Sequence, residues 1–220
     1  MAIPVSNNRP LLLGHRGARA VRSIPENTMP SFERALADGC DGFEFDVRLT
    51  SDGEAVVCHD PRVGRIEIAQ ASFPQLDGLP RLEEVLARFH RRAFLDIELK
   101  VGGLEQLTIS QLRKYQAARG VVVSSFLPEV LRAVGAQDAS VPLGLICETV
   151  DEFRVWRSVS AEYVIPHYRL LNPERIAELK RSEKKILVWT VNDPTEMVWS
   201  RDMSVDGIIS DDPALLSRTL

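Results

Sequence analysis

Acids, imidazoles and cations stand where short apolar runs end in this 220-residue chain. Leu11–Leu13 runs into Gly14, His15, Arg16 and Gly17. Residues 42–49 alternate strictly, with Phe43, Phe45, Val47 and Leu49 on one side and Glu44, Asp46 and Arg48 on the other. Alternation at period two is a strand signal, and here the polar face bears carboxylates. Phe94–Lys100 repeats the pattern, setting Leu95, Ile97 and Leu99 against Asp96, Glu98 and Lys100. If Glu44, Asp46 and Glu98 converge at strand ends, their like charges need relief. A proton on one of them would serve. So would a hard divalent cation, Ca²⁺ or Mg²⁺, which prefers carboxylate oxygen. The plainer arrangement is an ion-pair cluster with Arg16, Arg48 and Lys100. His15 and His59 suit proton transfer, since a free imidazole titrates near pH ~6.5. Arg16 offers a planar fork and Lys100 a point charge, either for phosphate oxygens or as counter-charges to the acids.

Asp52-Gly53 is a two-residue hairpin signal. With that loop Ser51 faces Glu54 and His59 falls opposite Asp46, while Val56 and Cys58 share the face of Val47 and Leu49. Directly opposed residues project to one side of a ladder. The turn therefore predicts that His59 joins Glu44 and Asp46.

Asn27 or Thr28 caps a helix with Pro30 in its first turn and Met29, Phe32, Ala35 and Leu36 as its apolar stripe; Gly39 stops it. Residues 61–79 show no period and are broken by prolines, which predicts a loop above the core. Helices are expected near 80–91, within 104–118, at 128–137 and at 149–160, and after Asn172-Pro173, Asp193-Pro194 and Asp212-Pro213. Between them lie apolar strands at 94–100, 121–123, 142–147, 163–165, 186–191 and 208–209. Such alternation argues for a parallel sheet. About eight strand–helix units in one chain of this length predict a single-domain TIM (β/α)8 barrel over residues 1–220, with 54–59 as a β-hairpin excursion near the mouth.

Net charge is −4, which makes a poor general binder of nucleic acid or anionic membrane; phosphate chemistry must then rest on a few placed cations. Cys40, Cys58 and Cys147 are odd in number and widely spaced, so buried free thiols are expected rather than disulfides or a zinc site. The opening MAIPVSNNRP lacks the charged leader and apolar core of a signal peptide, and no run approaches the ~18 apolar residues of a membrane span. A soluble, cytoplasmic protein with no integral membrane segment is expected. His90, beside Arg91 and Arg92, is expected to be solvated and His167 structural; Asp206 and Asp211 are expected to serve turns and caps.

The ordered set HRG (15–17), PENT (25–28), EFDV (44–47), DG (52–53), HD (59–60), IELK (97–100), SSF (124–126), WTVN (189–192) and VDGIISDDP (205–213) covers nearly the whole chain. On these motifs the chain resembles the glycerophosphodiester phosphodiesterases, phospholipase C-like phosphodiesterase barrels. The resemblance implies hydrolysis of small-molecule glycerophosphodiesters to an alcohol and glycerol 3-phosphate. It implies that His15 and His59 are the acid/base couple, in either order, and that Glu44, Asp46 and Glu98 are ligands of a divalent cation. It sets Arg16 and Lys100 at the phosphate, and Phe126 and Trp189 as walls of the cleft, positions that core packing would equally explain. Glu26 is expected to orient its neighbours in the His15 loop or to serve as a helix-start acid. The family usually carries a longer insertion between His59-Asp60 and Leu79-Pro80. A shortened insertion implies a reduced lid and a mouth open to bulkier alcohols, as in lysophospholipids or sugar and opine diesters. A non-catalytic phosphate-binding barrel is the contrasting expectation; retention of His15, Arg16, Glu44, Asp46, His59, Glu98 and Lys100 argues against it.

Overall fold

The computed structural model describes residues 9–220; the expectation about a leader falls chiefly on residues 1–8, outside the described residues. The strands are β1 (Leu11–His15), β2 (Gly42–Leu49), β3 (Ala55–Val57), β4 (Arg62–Val63), β5 (Ile66–Glu67), β6 (Phe94–Leu99), β7 (Val121–Ser125), β8 (Leu143–Cys147), β9 (Tyr163–Pro166), β10 (Lys185–Val188) and β11 (Gly207–Ser210). The helices are α1 (Met29–Ala37), α2 (Leu82–Phe89), α3 (Glu105–Lys114), α4 (Pro128–Gln137), α5 (Val150–Arg154), α6 (Pro173–Arg181), α7 (Pro194–Asp202) and α8 (Pro213–Thr219). Strands β1, β2 and β6 through β11 pair in parallel and in sequence, and β11 returns onto β1 with Leu11 beside Gly207 and Gly14 beside Ser210. The result is a closed (β/α)8 barrel, as the element count predicts. No helix among the described residues is long and apolar enough to cross a membrane.

Side-chain parity explains why this barrel carries acids inside. Phe43, Phe45, Val47, Leu95, Ile97 and Leu99 pack outward against the helices. The opposite parity faces the barrel axis, where Leu13, Phe94, Val122, Ile165, Leu187 and Ile209 form a smaller inner cluster. Glu44, Asp46, Asp96 and Glu98 share that inward parity. The outer layer is anchored by Phe43, which stacks on Phe32 of α1 at 4.2 Å and 9° and meets Phe89 of α2 edge-on at 5.0 Å and 85°. Phe43 is fully buried, and its neighbour Glu44 is set by it. Phe43→Ala is expected to cost about 3–5 kcal/mol in a urea unfolding titration; a loss under ~1 kcal/mol would mean that the aromatic cluster does not hold β2.

The hairpin after β2 departs from the expected register. Leu49 pairs with Ala55, Arg48 with Val56 and Val47 with Val57, so Asp46 stands opposite Cys58, whose N–H donates to the Asp46 carbonyl. The loop holds three residues, Ser51, Asp52 and Gly53. Thr50 Oγ1 donates to Asp52 Oδ1 (2.6 Å) and accepts from the Glu54 N–H (2.9 Å), and Gly53 takes φ +85°. A side chain that reaches back to its own turn favours a bulged three-residue loop over the tighter one. Ala55 and Val57, not Val56 and Cys58, therefore share the face of Val47 and Leu49.

Residues 61–79 are not a plain loop. β4 and β5 pair antiparallel, two 3₁₀ turns follow at Ile68–Gln70 and Phe73–Gln75, and Ile68, Ala71 and Leu76 bury against Val56. Those apolar positions lack one period because they serve short turns. The helix expected at 149–160 ends as α-helix at Arg154 and continues as a 3₁₀ turn, Val155–Ser158. Cys40 and Cys147 are buried free thiols, whereas Cys58 is half-buried.

Candidate active site

The groups expected to do chemistry gather at the C-terminal mouth of the barrel, where the βα loops of this fold build their sites. His15 ends β1, Glu44 and Asp46 lie on β2, Glu98 and Lys100 close β6, and Phe126 and Trp189 follow β7 and β10. A cavity of about 270 Å³ is lined by His15, Arg16, Glu44, His59, Glu98 and Lys100 on one side and by an arc including Phe126, Glu148 and Trp189 on the other. Asp46, 1% exposed, lies beneath this surface and does not line it. Oxygens of Glu44, Asp46 and Glu98 come within 4.8 Å of one another.

The β1–α1 loop is folded back to serve this cluster. Arg16 and Gly17 take left-handed backbone, φ +51° and +85°. A Cβ on Gly17 would lie 2.6 Å from the Ser31 carbonyl carbon, so only glycine fits there. Ser31 Oγ clamps the loop to α1, donating to the Arg16 carbonyl (3.0 Å) and accepting from the Ala18 N–H (2.8 Å). The Arg16 N–H then donates to Glu44 Oε2 (3.0 Å), while its guanidinium pairs with Glu26 (2.8 Å) and with Asp46 (3.2 Å). Glu26 also holds Arg19 at 2.8 Å. Lys100 Nζ lies 2.6 Å from Glu98 and 3.4 Å from Asp46.

Two cations do not quiet this cluster fully. Burial pushes Glu44 well above the usual carboxylate range, and Asp46 and Glu98 add to the rise. Burial and then Asp46 push Glu98 up to about 7, with Lys100 offsetting part of it. Asp46 also pays for burial, but Lys100 and Arg16 outweigh that and hold it below its ordinary value. Glu44 Oε1 and Asp46 Oδ1 are buried without a hydrogen-bond partner. Buried carboxylates gathered this closely, two of them with an oxygen that lacks a hydrogen bond, suit a hard divalent cation.

The imidazoles are held alike. His15, 8% exposed, sets Nδ1 2.7 Å from Asp211 Oδ1. A carboxylate only accepts, so Nδ1 carries the proton and Nε2, 3.8 Å from Glu44 Oε2, is left for other partners. His59 sets Nδ1 2.8 Å from Asp60 Oδ1. It reaches the cavity although the register differs from the expected one: the chain leaves the ladder after Cys58, and Arg48 Nε donates to the His59 carbonyl (2.8 Å).

Two residues at the cluster escape the sequence-based assignment. Asp211, expected to serve only a turn, is held by His15, by Asn192 Nδ2 (2.7 Å) and by Arg19 (3.3 Å). Burial opposes its ionisation, but the His15 hydrogen bond and its companions hold its pKa at about 2. Asp211 lies two residues after inward-facing Ile209, at a strand end, an orientation that only the folded barrel reveals. Asn27 is not the cap. Thr28 accepts from the Ser31 N–H, while Asn27, at φ +57°, donates from Nδ2 to Asp46 Oδ2 (2.8 Å). His167 packs against Trp189 at 5.4 Å, and His90 Nδ1 bonds the Leu86 carbonyl (2.9 Å). Asp206 accepts from the Ile186 N–H (2.7 Å), a purely structural contact.

A closed barrel with acids, imidazoles and cations gathered at the C-terminal mouth has the layout of a (β/α)8 enzyme. The chain matches the family model of the Glycerophosphoryl diester phosphodiesterase family over residues 15–117 and 69–215. It is 32% identical to a glycerophosphodiester phosphodiesterase of Caldanaerobacter subterraneus subsp. tengcongensis over 234 aligned residues, covering 94% of this chain and 96% of that one. The crystal structure of a glycerophosphodiester phosphodiesterase from Thermotoga maritima is similar with TM-score 0.84 and 26% identity, over 98% of this chain and 100% of that one. One from Parabacteroides distasonis shares the fold with TM-score 0.85 at 24% identity, over 97% of each chain. The chain belongs to the glycerophosphoryl diester phosphodiesterase family, and with it to the phosphoric diester hydrolases.

Proposed function

We propose that this barrel hydrolyses glycerophosphodiesters to glycerol 3-phosphate and an alcohol, using His15 and His59 for proton transfer beside a divalent cation, Ca²⁺ or Mg²⁺. The observation that carries it is that both imidazoles line one cavity with Arg16, Lys100, Glu44 and Glu98, each with Nδ1 bonded to an aspartate. Family membership supports the substrate class.

Glu44, Asp46 and Glu98 would hold the cation; the unpartnered oxygens of Glu44 and Asp46 and the raised pKa values of Glu44 and Glu98 fit that role. When bound, it supplies charge neutralisation and Lewis-acid polarisation at the non-bridging phosphate oxygens. Arg16 and Lys100 bind those same oxygens and offset the charge that builds as the new P–O bond forms. One imidazole takes the proton of the attacking hydroxyl or water at Nε2. The other, protonated, gives its proton to the ester oxygen as the old P–O bond breaks. Asn27 positions Asp46, and Glu26 positions Arg16. Phe126 and Trp189 wall the cavity; Trp189 Nε1 donates to the Ile165 carbonyl (2.9 Å), which fixes the indole. The short segment 61–79 leaves the mouth open to varied alcohols. Three cysteines without a disulfide suit a reducing compartment such as the cytoplasm.

The test is a screen of purified protein, with added Ca²⁺ or Mg²⁺, over glycerophosphodiesters of varied alcohols, read by released alcohol and glycerol 3-phosphate. No turnover of any diester in either metal would overturn the proposal. Within it, Asp211 keeps the His15 proton on Nδ1. Asp211→Asn is expected to lower kcat by about 10²-fold with the fold intact. An unchanged kcat would mean that His15 needs no such partner.

A further inference from the structure

His15 and Arg16 are neighbours in the chain, yet their side chains are steadied by two different acids. Asp211 Oδ1 accepts from His15 Nδ1 (2.7 Å), and Glu26 Oε1 accepts from Arg16 Nη1 (2.8 Å). One residue joins the two acids. Arg19 Nε donates to Glu26 Oε2 (2.8 Å), and its Nη1 stands 3.3 Å from each oxygen of Asp211. Donors and acceptors thus alternate around a circuit, from His15 to Asp211, Arg19, Glu26 and Arg16, which the His15–Arg16 peptide closes. Arg19 does not line the catalytic cavity. It faces a separate open cleft of about 570 Å³, beside Arg22, Asn192 and Leu215. Any effect it has on the reaction must therefore pass through the two acids.

A carboxylate bonded by one donor still turns about its last torsion, which is broad and two-fold. A second donor on the same group removes that freedom. Asn192 shares this duty at Asp211 (2.7 Å), whereas Glu26 is held between Arg16 and Arg19. We propose that Arg19 is a positioning residue for the diesterase reaction: by bridging Glu26 and Asp211 it holds the phosphate-binding guanidinium of Arg16 and the imidazole of His15 in one fixed relation. This rests on the diesterase function proposed above and extends it to a side chain that does not meet the substrate. Misplacing reacting groups by ~1 Å costs up to ~10²-fold in rate, whereas an exposed ion pair adds little to stability. Arg19 has 44% of its side chain exposed. The two loops also stay joined without it, because the Ala20 N–H donates to the Asp211 carbonyl (2.8 Å).

The test is Arg19→Ala, assayed beside the wild-type protein on the diester turned over fastest in the screen above. In the variant kcat is expected to fall about tenfold, with Tm lowered by no more than ~4 °C. The vacated space opens to the cleft, so added methylguanidinium should restore most of the lost turnover and leave the wild-type rate unchanged. Combined with Asp211→Asn, the two losses should come to less than their product, because Arg19 acts partly through Asp211. An Arg19→Ala protein as fast as wild type overturns the role of Arg19 and leaves the diesterase function standing. So does a slowed variant that methylguanidinium leaves unrevived, or whose loss multiplies in full with that of Asp211→Asn; either result marks a general loosening of the fold. A wild-type protein that cleaves no diester overturns both readings.

Discussion

His15→Ala and His59→Ala are each expected to lower kcat/KM for a glycerophosphodiester by about 10²- to 10⁴-fold, the range for loss of a general acid or base. Both should keep the far-ultraviolet circular dichroism of the parent. The two variants differ in what they leave behind. His59 has 35% of its side chain exposed and one partner, Asp60, so its removal should barely move stability. His15 is buried, and its loss strands Asp211 against Arg19 and Asn192. If the imidazoles serve one proton-transfer sequence, the double variant should lose less than the product of the single losses. Full activity in either single variant would remove that imidazole from the reaction.

Stripping divalent cations with a chelator is expected to take turnover to background, and Ca²⁺ or Mg²⁺ should restore it. Glu98→Gln should stay folded yet lose about 10³-fold, because a bound cation contributes several kcal/mol of charge stabilisation. The cluster also predicts how the cation acts on stability. Burial, then Asp46, raise Glu98 in the folded state from 4.5 to about 7. A raised pKa means that the folded state holds the proton more tightly. The stability it contributes is present below the unfolded value and is lost as pH rises through about 7. A cation takes the place of that proton, so added Ca²⁺ or Mg²⁺ should raise Tm more near pH ~8 than near pH ~5. Equal shifts at both values would mean that these carboxylates are not where the ion binds.

Much of the barrel was legible because its strands and helices carry different periods. β2 and β6 were clearest: one face of each is aromatic or aliphatic and packs under helices, while the other bears Glu44, Asp46, Asp96 and Glu98. Asp211 was hidden for the opposite reason. β11 is apolar on both faces, as parallel barrel strands usually are, so alternation could not say whether Ile208 or Ile209 turns inward. Asn27 was hidden because two neighbouring residues could cap α1, and only the left-handed backbone at Asn27 frees its amide to reach Asp46. The hairpin register failed on one residue. Asp52-Gly53 alone favours a two-residue loop, but Thr50 Oγ1 bonds across the turn and widens it.

Local period and residue type suffice for the order of strands and helices, the acids on the inner faces of β2 and β6, and the motifs that tie the chain to its family. They do not reach the bond from Asp211 to His15 across 196 positions, the grip of Asn27 and Arg16 on Asp46, or the cavity that Glu148 and Trp189 line together. Those pairings arise from barrel closure, which brings the last strand beside the first, and no local pattern records which distant side chains closure will set face to face.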